Sequence, residues 1–119
     1  MSKVMLAEDD QTMVSLLKTL LRMEGFEVLA LEGDADIPAA VRQESPDVLL
    51  LDVHLENQNG LEALDAIRSS DATRATRIVM TSGLNLKAEC MARGADDFLL
   101  KPYMPDELIG MLKRNIRPA

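Results

Sequence analysis

The chain has one cysteine, one histidine, only three aromatic residues and few basic ones. Each scarcity closes off a class of function. With Cys90 alone, no internal disulfide and no cysteine-based metal site can be assembled, so stability has to come from packing. His54 is the sole histidine, which leaves zinc without the ligands it prefers. No Ser or Cys nucleophile is spaced to use His54 as a general base, so the plain reading is a solvent-facing neighbour of acidic residues. No apolar run approaches the roughly 18 residues of a membrane helix. The opening MSKVMLAEDD turns acidic after four apolar residues, too soon for a secretory signal. The expectation is a cytoplasmic chain with no membrane partner. Thirteen Lys and Arg against twenty Asp and Glu give a net charge of −7, which opposes nucleic-acid binding, since that rests on cations displacing counterions. No repeat, low-complexity tract or Ser/Gly-rich linker divides the 119 residues, so one domain, 1–119, is expected.

Short apolar runs alternate with helical patterns from end to end, which argues for βα units and a parallel sheet. Val4–Ala7, Val48–Leu51 and Ile78–Met80 are continuously apolar, as expected of central strands covered on both faces. Phe26–Leu31 and Asp96–Leu100 contain acids and suit the edges. Met13, Leu16, Leu17, Leu20 and Leu21 follow helical spacing, with Gly25 as the stop. Leu61, Ala63, Leu64, Ala66 and Ile67 suggest another helix, and Leu108, Ile109, Leu112 and Ile116 a C-terminal one. Lys113, Arg114 and Arg117 suit the negative dipole end of the latter. Ala35–Gln43, with Pro38 in its opening turn, and Lys87–Arg93 complete five helices for five strands. Right-handed crossovers make this α/β pattern a doubly wound, five-stranded parallel sandwich.

Glu8, Asp9 and Asp10 follow the first strand and Asp52 follows the third, so all four stand at carboxyl ends of parallel strands, where open α/β sheets bind ligands. Carboxylates held together without a counterion repel, and a shared hard cation such as Mg²⁺ relieves them. Asp10 reads more simply as the cap of Gln11–Met23. Ser82 after the fourth strand and Lys101 after the fifth reach the same edge. A carboxylate can attack phosphorus to form an acyl phosphate, and phosphoryl transfer asks mainly for position and charge neutralisation. A metal, an ammonium and a hydroxyl supply that.

Four segments, AEDD at Ala7–Asp10, DVLLLDVHLENQNGLEAL at Asp47–Leu64, VMTSG at Val79–Gly83 and GADDFLLKPY at Gly94–Tyr103, together resemble a response-regulator receiver domain along essentially the whole chain. The resemblance implies a flavodoxin-like sheet of order 2-1-3-4-5. It implies Asp52 as phosphoacceptor and Mg²⁺ held by Glu8, Asp9, Asp52 and the backbone carbonyl of His54. Ser82 becomes the switch hydroxyl, with Thr81 as the alternate, Lys101 the lysine on a cis bond to Pro102, and Phe98 the switch aromatic. Gly60 ends the active-site loop. The implied partners are a sensor histidine kinase or phosphotransfer protein and a second copy through the face of helix 4, strand 5 and helix 5. The only chemistry implied is the domain's own phosphorylation and dephosphorylation. Two departures stand out: Glu56 replaces the usual proline, and the stretch from Ser82 to Gly94 is short, predicting a short fourth helix.

Competing readings are fewer. A haloacid-dehalogenase-type phosphatase needs a second acid two residues after its nucleophile, where this chain has His54. A flavin binder needs a phosphate-cradling first loop, which Glu8-Asp9-Asp10 would repel. A receiver used only for docking would not need the full site. For Tyr103, Cys90 and the eight methionines, packing is the simplest role.

Overall fold

The computed structural model describes residues 2–116, so Arg117 lies outside the described residues. Its elements run β1 (Lys3–Ala7), α1 (Gln11–Met23), β2 (Glu27–Ala30), α2 (Ile37–Glu44), β3 (Val48–Asp52), α3 (Gly60–Ser69), β4 (Arg77–Ser82), α4 (Lys87–Ala92), β5 (Asp97–Leu100) and α5 (Pro105–Asn115). Every strand pair is parallel and the order is β2-β1-β3-β4-β5. The continuously apolar runs are central and the two acid-containing runs are edges, each shorter than its sequence pattern. An edge strand ends where its outer groups can turn to water.

Alternation along the strands divides the interior into two cores. Met5, Leu49, Leu51, Ile78 and Met80 pack toward α2, α3 and α4. Val4, Leu6, Val48, Leu50 and Val79 pack toward α1 and α5. Helix α1 presents Val14, Leu17 and Leu21 to that second core, while Leu16 is 42% exposed, so the buried stripe is narrower than the apolar pattern suggests. Ala66 on α3 is likewise exposed.

Local signals account for the helix ends. Asp10 Oδ1 accepts from the Met13 N–H at 3.1 Å, Asp36 Oδ1 from Ala39 at 3.0 Å and Asn59 Oδ1 from Leu61 at 2.8 Å. Gly25, at φ 94°, stops α1: its N–H donates to the Arg22 carbonyl and the next N–H, of Phe26, to the Leu21 carbonyl. That reciprocal pair needs the left-handed conformation glycine adopts without strain. Helix α4 has six residues, as the short segment after Ser82 predicts.

The amino edge of the sheet is tied by a charged cluster. Asp96 accepts from Arg68 Nη2 at 2.9 Å, Arg77 Nη1 at 3.0 Å and the Ile78 N–H at 2.8 Å. Arg68 also donates to the carbonyls of Gly94, Arg74 and Thr76, joining the end of α3 to the starts of β4 and β5. Burial, together with the nearby Arg77 charge, lowers the Arg68 pKa even with Asp96 holding it up.

Candidate functional site

Parallel pairing in this order brings the ends of β1, β3, β4 and β5 side by side. Asp52 is the last residue of β3, in register with Thr81 of β4. It is buried at 5% exposure, and its two oxygens have different partners. Oδ1 accepts from the His54 N–H at 3.0 Å, and Oδ2 from Lys101 Nζ at 2.6 Å. Lys101 also stands 2.6 Å from Glu8 Oε1, an ion pair without the direction of a hydrogen bond, so that buried oxygen lacks a well-placed donor. The ammonium thus bridges Asp52 and Glu8, and Asp9 is not its partner. Burial draws the Lys101 pKa down, but the contacts and charges of Asp52 and Glu8 overcome it and hold the group above the ordinary lysine range.

The three N-terminal acids separate into different roles. Glu8 turns inward to Lys101, and its Oε2 accepts from the Asp10 N–H at 3.1 Å. Asp10 caps α1. Asp9 turns toward the loop between β3 and α3, where its carboxylate accepts from the Glu56 N–H. His54 is exposed, so its side chain faces solvent while its backbone holds Asp52.

Backbone geometry fixes the end of β3 to the helix behind it. The Gly60 N–H donates to the Val53 carbonyl at 2.8 Å, and a Cβ placed on Gly60 would lie 2.1 Å from the Asp52 carbonyl oxygen. No other residue fits without moving the strand end. From β4 and β5, the Lys101 N–H donates to the Ser82 carbonyl at 2.8 Å, and the Lys101-Pro102 bond is cis.

Ser82 and Thr81 are both fully buried, on opposite faces of β4. Ser82 Oγ accepts from the Leu84 N–H at 3.0 Å, whereas Thr81 Oγ1 has no partner. Phe98, the switch aromatic implied by the resemblance, is 7% exposed and packed in the first core. Phenylalanine has no hydroxyl to bond outward, so nothing holds it in water.

A cleft of about 400 Å³ opens beside the acids, lined by Glu8, Asp10, Met13, Gly83, Lys101, Pro102 and Tyr103. Tyr103, read from sequence as core, is both: it packs in the second core and walls this cleft, with its hydroxyl unpartnered. Its position two residues after Lys101 was the available signal. Burial, reinforced by the Glu8 charge, pushes its pKa up to about 12.

Among the described residues, no three of His, Cys, Asp and Glu gather into a ready-made metal cage. The donor set nonetheless fits Mg²⁺. It consists only of hard oxygens, one buried oxygen of Glu8 lacks a directed donor, and Glu8, Asp9 and Asp52 against Lys101 leave two negative charges. Mg²⁺ takes one or two carboxylates and completes its shell with water and phosphate oxygens, so it needs no closed cage. Among the described residues, no helix is long and apolar enough to cross a membrane.

Comparison with known proteins agrees with this fold. The family model of the response regulator receiver domain matches residues 4–113. The transcriptional regulatory protein CpxR of Klebsiella pneumoniae is 35% identical over 98% of this chain and 50% of its own length. The DNA-binding response regulator MtrA of Mycobacterium leprae is 26% identical over 97% of this chain and 51% of its own. The chain therefore spans about half the length of the curated relatives it matches. Among solved structures, the receiver domain of the Francisella response regulator 1452 superposes with a TM-score of 0.87 at 25% identity, covering 98% of this chain and 97% of that one. The receiver domain of the sensor histidine kinase PA1611 from Pseudomonas aeruginosa, which holds a magnesium ion in its active-site cleft, superposes with a TM-score of 0.83 at 26% identity over 97% of each chain. The chain belongs to the response regulator receiver domain family of two-component signalling.

Proposed function

We propose that Asp52 accepts a phosphoryl group from the phosphohistidine of a sensor histidine kinase or phosphotransfer protein in the cytoplasm, and that the acyl phosphate switches a partner-binding face. The observation that carries this reading is the asymmetric hold on Asp52. One oxygen is fixed by a backbone N–H and the other by an ammonium, at the carboxyl edge of the sheet. The carboxylate attacks phosphorus, a P–O bond forms, the P–N bond breaks, and the imidazole leaves with a proton from solvent. Glu8, Asp9, Asp52 and the His54 carbonyl would hold Mg²⁺, which when bound would supply the positive charge that lets a phosphoryl group approach so many acids.

As negative charge moves outward, Lys101 follows it from the Asp52 carboxylate to the phosphoryl oxygens. Ser82 Oγ already accepts from Leu84, which leaves its own proton free to donate to the same oxygens. Thr81 is the second choice for that donor, since its hydroxyl faces the other core. Phe98, already inward, serves as packing that adjusts when Ser82 moves. The face beside it exposes Leu84, Met91, Leu100 and Met104, an apolar surface suited to a partner or a second copy. Displacement of β4 and β5 would shift that face between two populations. The domain then acts on no substrate but itself.

The test is incubation with Mg²⁺ and a small acyl phosphate, followed by intact mass. The wild type should gain one phosphoryl group and Asp52→Asn none. A wild type that gains nothing, or a mutant that gains as much, would reject the assignment.

A further inference from the structure

The three N-terminal acids are not equally free. Glu8 is held by Lys101 and by the Asp10 N–H, and Asp10 by the Met13 N–H. Among the described residues, the only hydrogen bond to the Asp9 carboxylate comes from a backbone N–H 47 positions away, that of Glu56. Glu56 occupies a position where proline, lacking an N–H, could make no such bond. The same loop is tied a second time by Gln58, whose side-chain amide donates to the carbonyls of Ala35 at 2.8 Å and Gly33 at 3.2 Å. Beneath these ties, Glu8, Asp9, Glu32 and Gln58 help to line a space of about 10 Å³. Such a space has room for about one water and none for a hydrated cation.

We propose that the Glu56 backbone amide is a lock on Asp9, so that a divalent cation can take this carboxylate only as the β3–α3 loop lets it go. The inference rests on the proposed role of Asp9 as a metal ligand. The Glu56 N–H occupies one of the two Asp9 carboxylate oxygens, Oδ2, so a cation that takes that oxygen has to displace the amide. A hydrogen bond to a carboxylate is also stronger than one between neutral groups, so it is a real competitor. Cation binding and loop release are then reciprocally linked: whatever loosens the loop tightens the metal. The opposite arrangement is also physically sound: the amide could steady Asp9 for the metal, as outer partners of metal ligands commonly do. The two differ in sign.

Titration calorimetry with MgCl₂ on the wild type, Glu56→Pro, Glu56→Gln and Asp9→Asn separates them. Glu56→Pro removes the N–H and should tighten Mg²⁺ by about tenfold or more, the scale of one lost hydrogen bond to a charged group. Glu56→Gln keeps the N–H and should bind no tighter than the wild type. In the wild-type NMR spectrum, the Glu56 amide should be protected from solvent exchange without metal and lose that protection at Mg²⁺ saturation. Unchanged or weaker binding by a folded Glu56→Pro variant overturns the lock, as does an amide that stays protected with metal bound. If the proline variant does not fold, the amide exchange decides alone. If Asp9→Asn binds Mg²⁺ as tightly as the wild type, the ligand assignment of Asp9 has failed, and the lock falls with it.

Discussion

The two ends of the sheet carry charged clusters of opposite design. At the amino edge one acid, Asp96, sits between two cations, Arg68 and Arg77, and Arg68 is bonded as well to the carbonyls of Gly94 and Thr76. At the carboxyl edge one cation, Lys101, sits between two acids, Asp52 and Glu8. There, Glu8 Oε1, Thr81 Oγ1 and Tyr103 OH are buried without a hydrogen-bond donor or acceptor in place. A buried polar group left unsatisfied is unfavourable, so the first cluster stabilises the fold while the second leaves polar groups without partners. The carboxyl edge takes its rigidity from backbone instead, at Gly60 and at the bond between Ser82 and Lys101.

Four measurements sharpen or break that contrast. The largest effect is expected for Gly60→Ala, whose Cβ meets the Asp52 carbonyl oxygen at 2.1 Å. It should destabilise the fold by about 3 kcal/mol or more in urea denaturation, because backbone rather than a flexible side chain must move. Next, Asp96→Ala should lower stability by about 2–3 kcal/mol, since it strands two partly buried guanidinium groups and the Ile78 N–H. A loss below about 0.5 kcal/mol, the range of ordinary surface substitutions, would show that the amino edge is not the staple described.

Asp52→Asn should shift stability by less than about 1 kcal/mol, since Lys101 keeps Glu8 and one repelling carboxylate is gone. An equal loss at both edges would erase the contrast. The smallest effect is a pH dependence. Tyr103 is the only tyrosine in a chain without tryptophan, so its phenolate absorbance reports one site. Its midpoint should lie at about 12 in the folded protein and fall to the ordinary 10 on unfolding. Because the folded state keeps this proton longer, Tyr103 lowers stability as pH rises between those two values and is without effect below them.

Much of this was legible in the residues. The sheet could be read because its central strands are continuously apolar, a pattern set by burial on both faces, and acids follow two of them. Asp10 as a cap, the stop at Gly25 and the short α4 were equally local. Partner choice was not local. That Lys101 meets Glu8 rather than Asp9 depends on which way two consecutive side chains turn at the end of β1. The exposure of Leu16 arises because α1 has more apolar residues than its contact with the sheet can cover. The Glu56 amide was invisible as a contact, because any residue but proline carries the same N–H and only the fold brings it to Asp9.

The single hydrogen bond from the Lys101 N–H to the Ser82 carbonyl has a mechanical meaning. It clamps two neighbouring strands at the point where one carries a hydroxyl and the other an ammonium, so the two grips ride on one jaw. A load on either is shared by both. A pull on either strand end is therefore carried to the other through backbone, and Leu100, paired with Ser82 at the end of β5, lies directly beside the clamp.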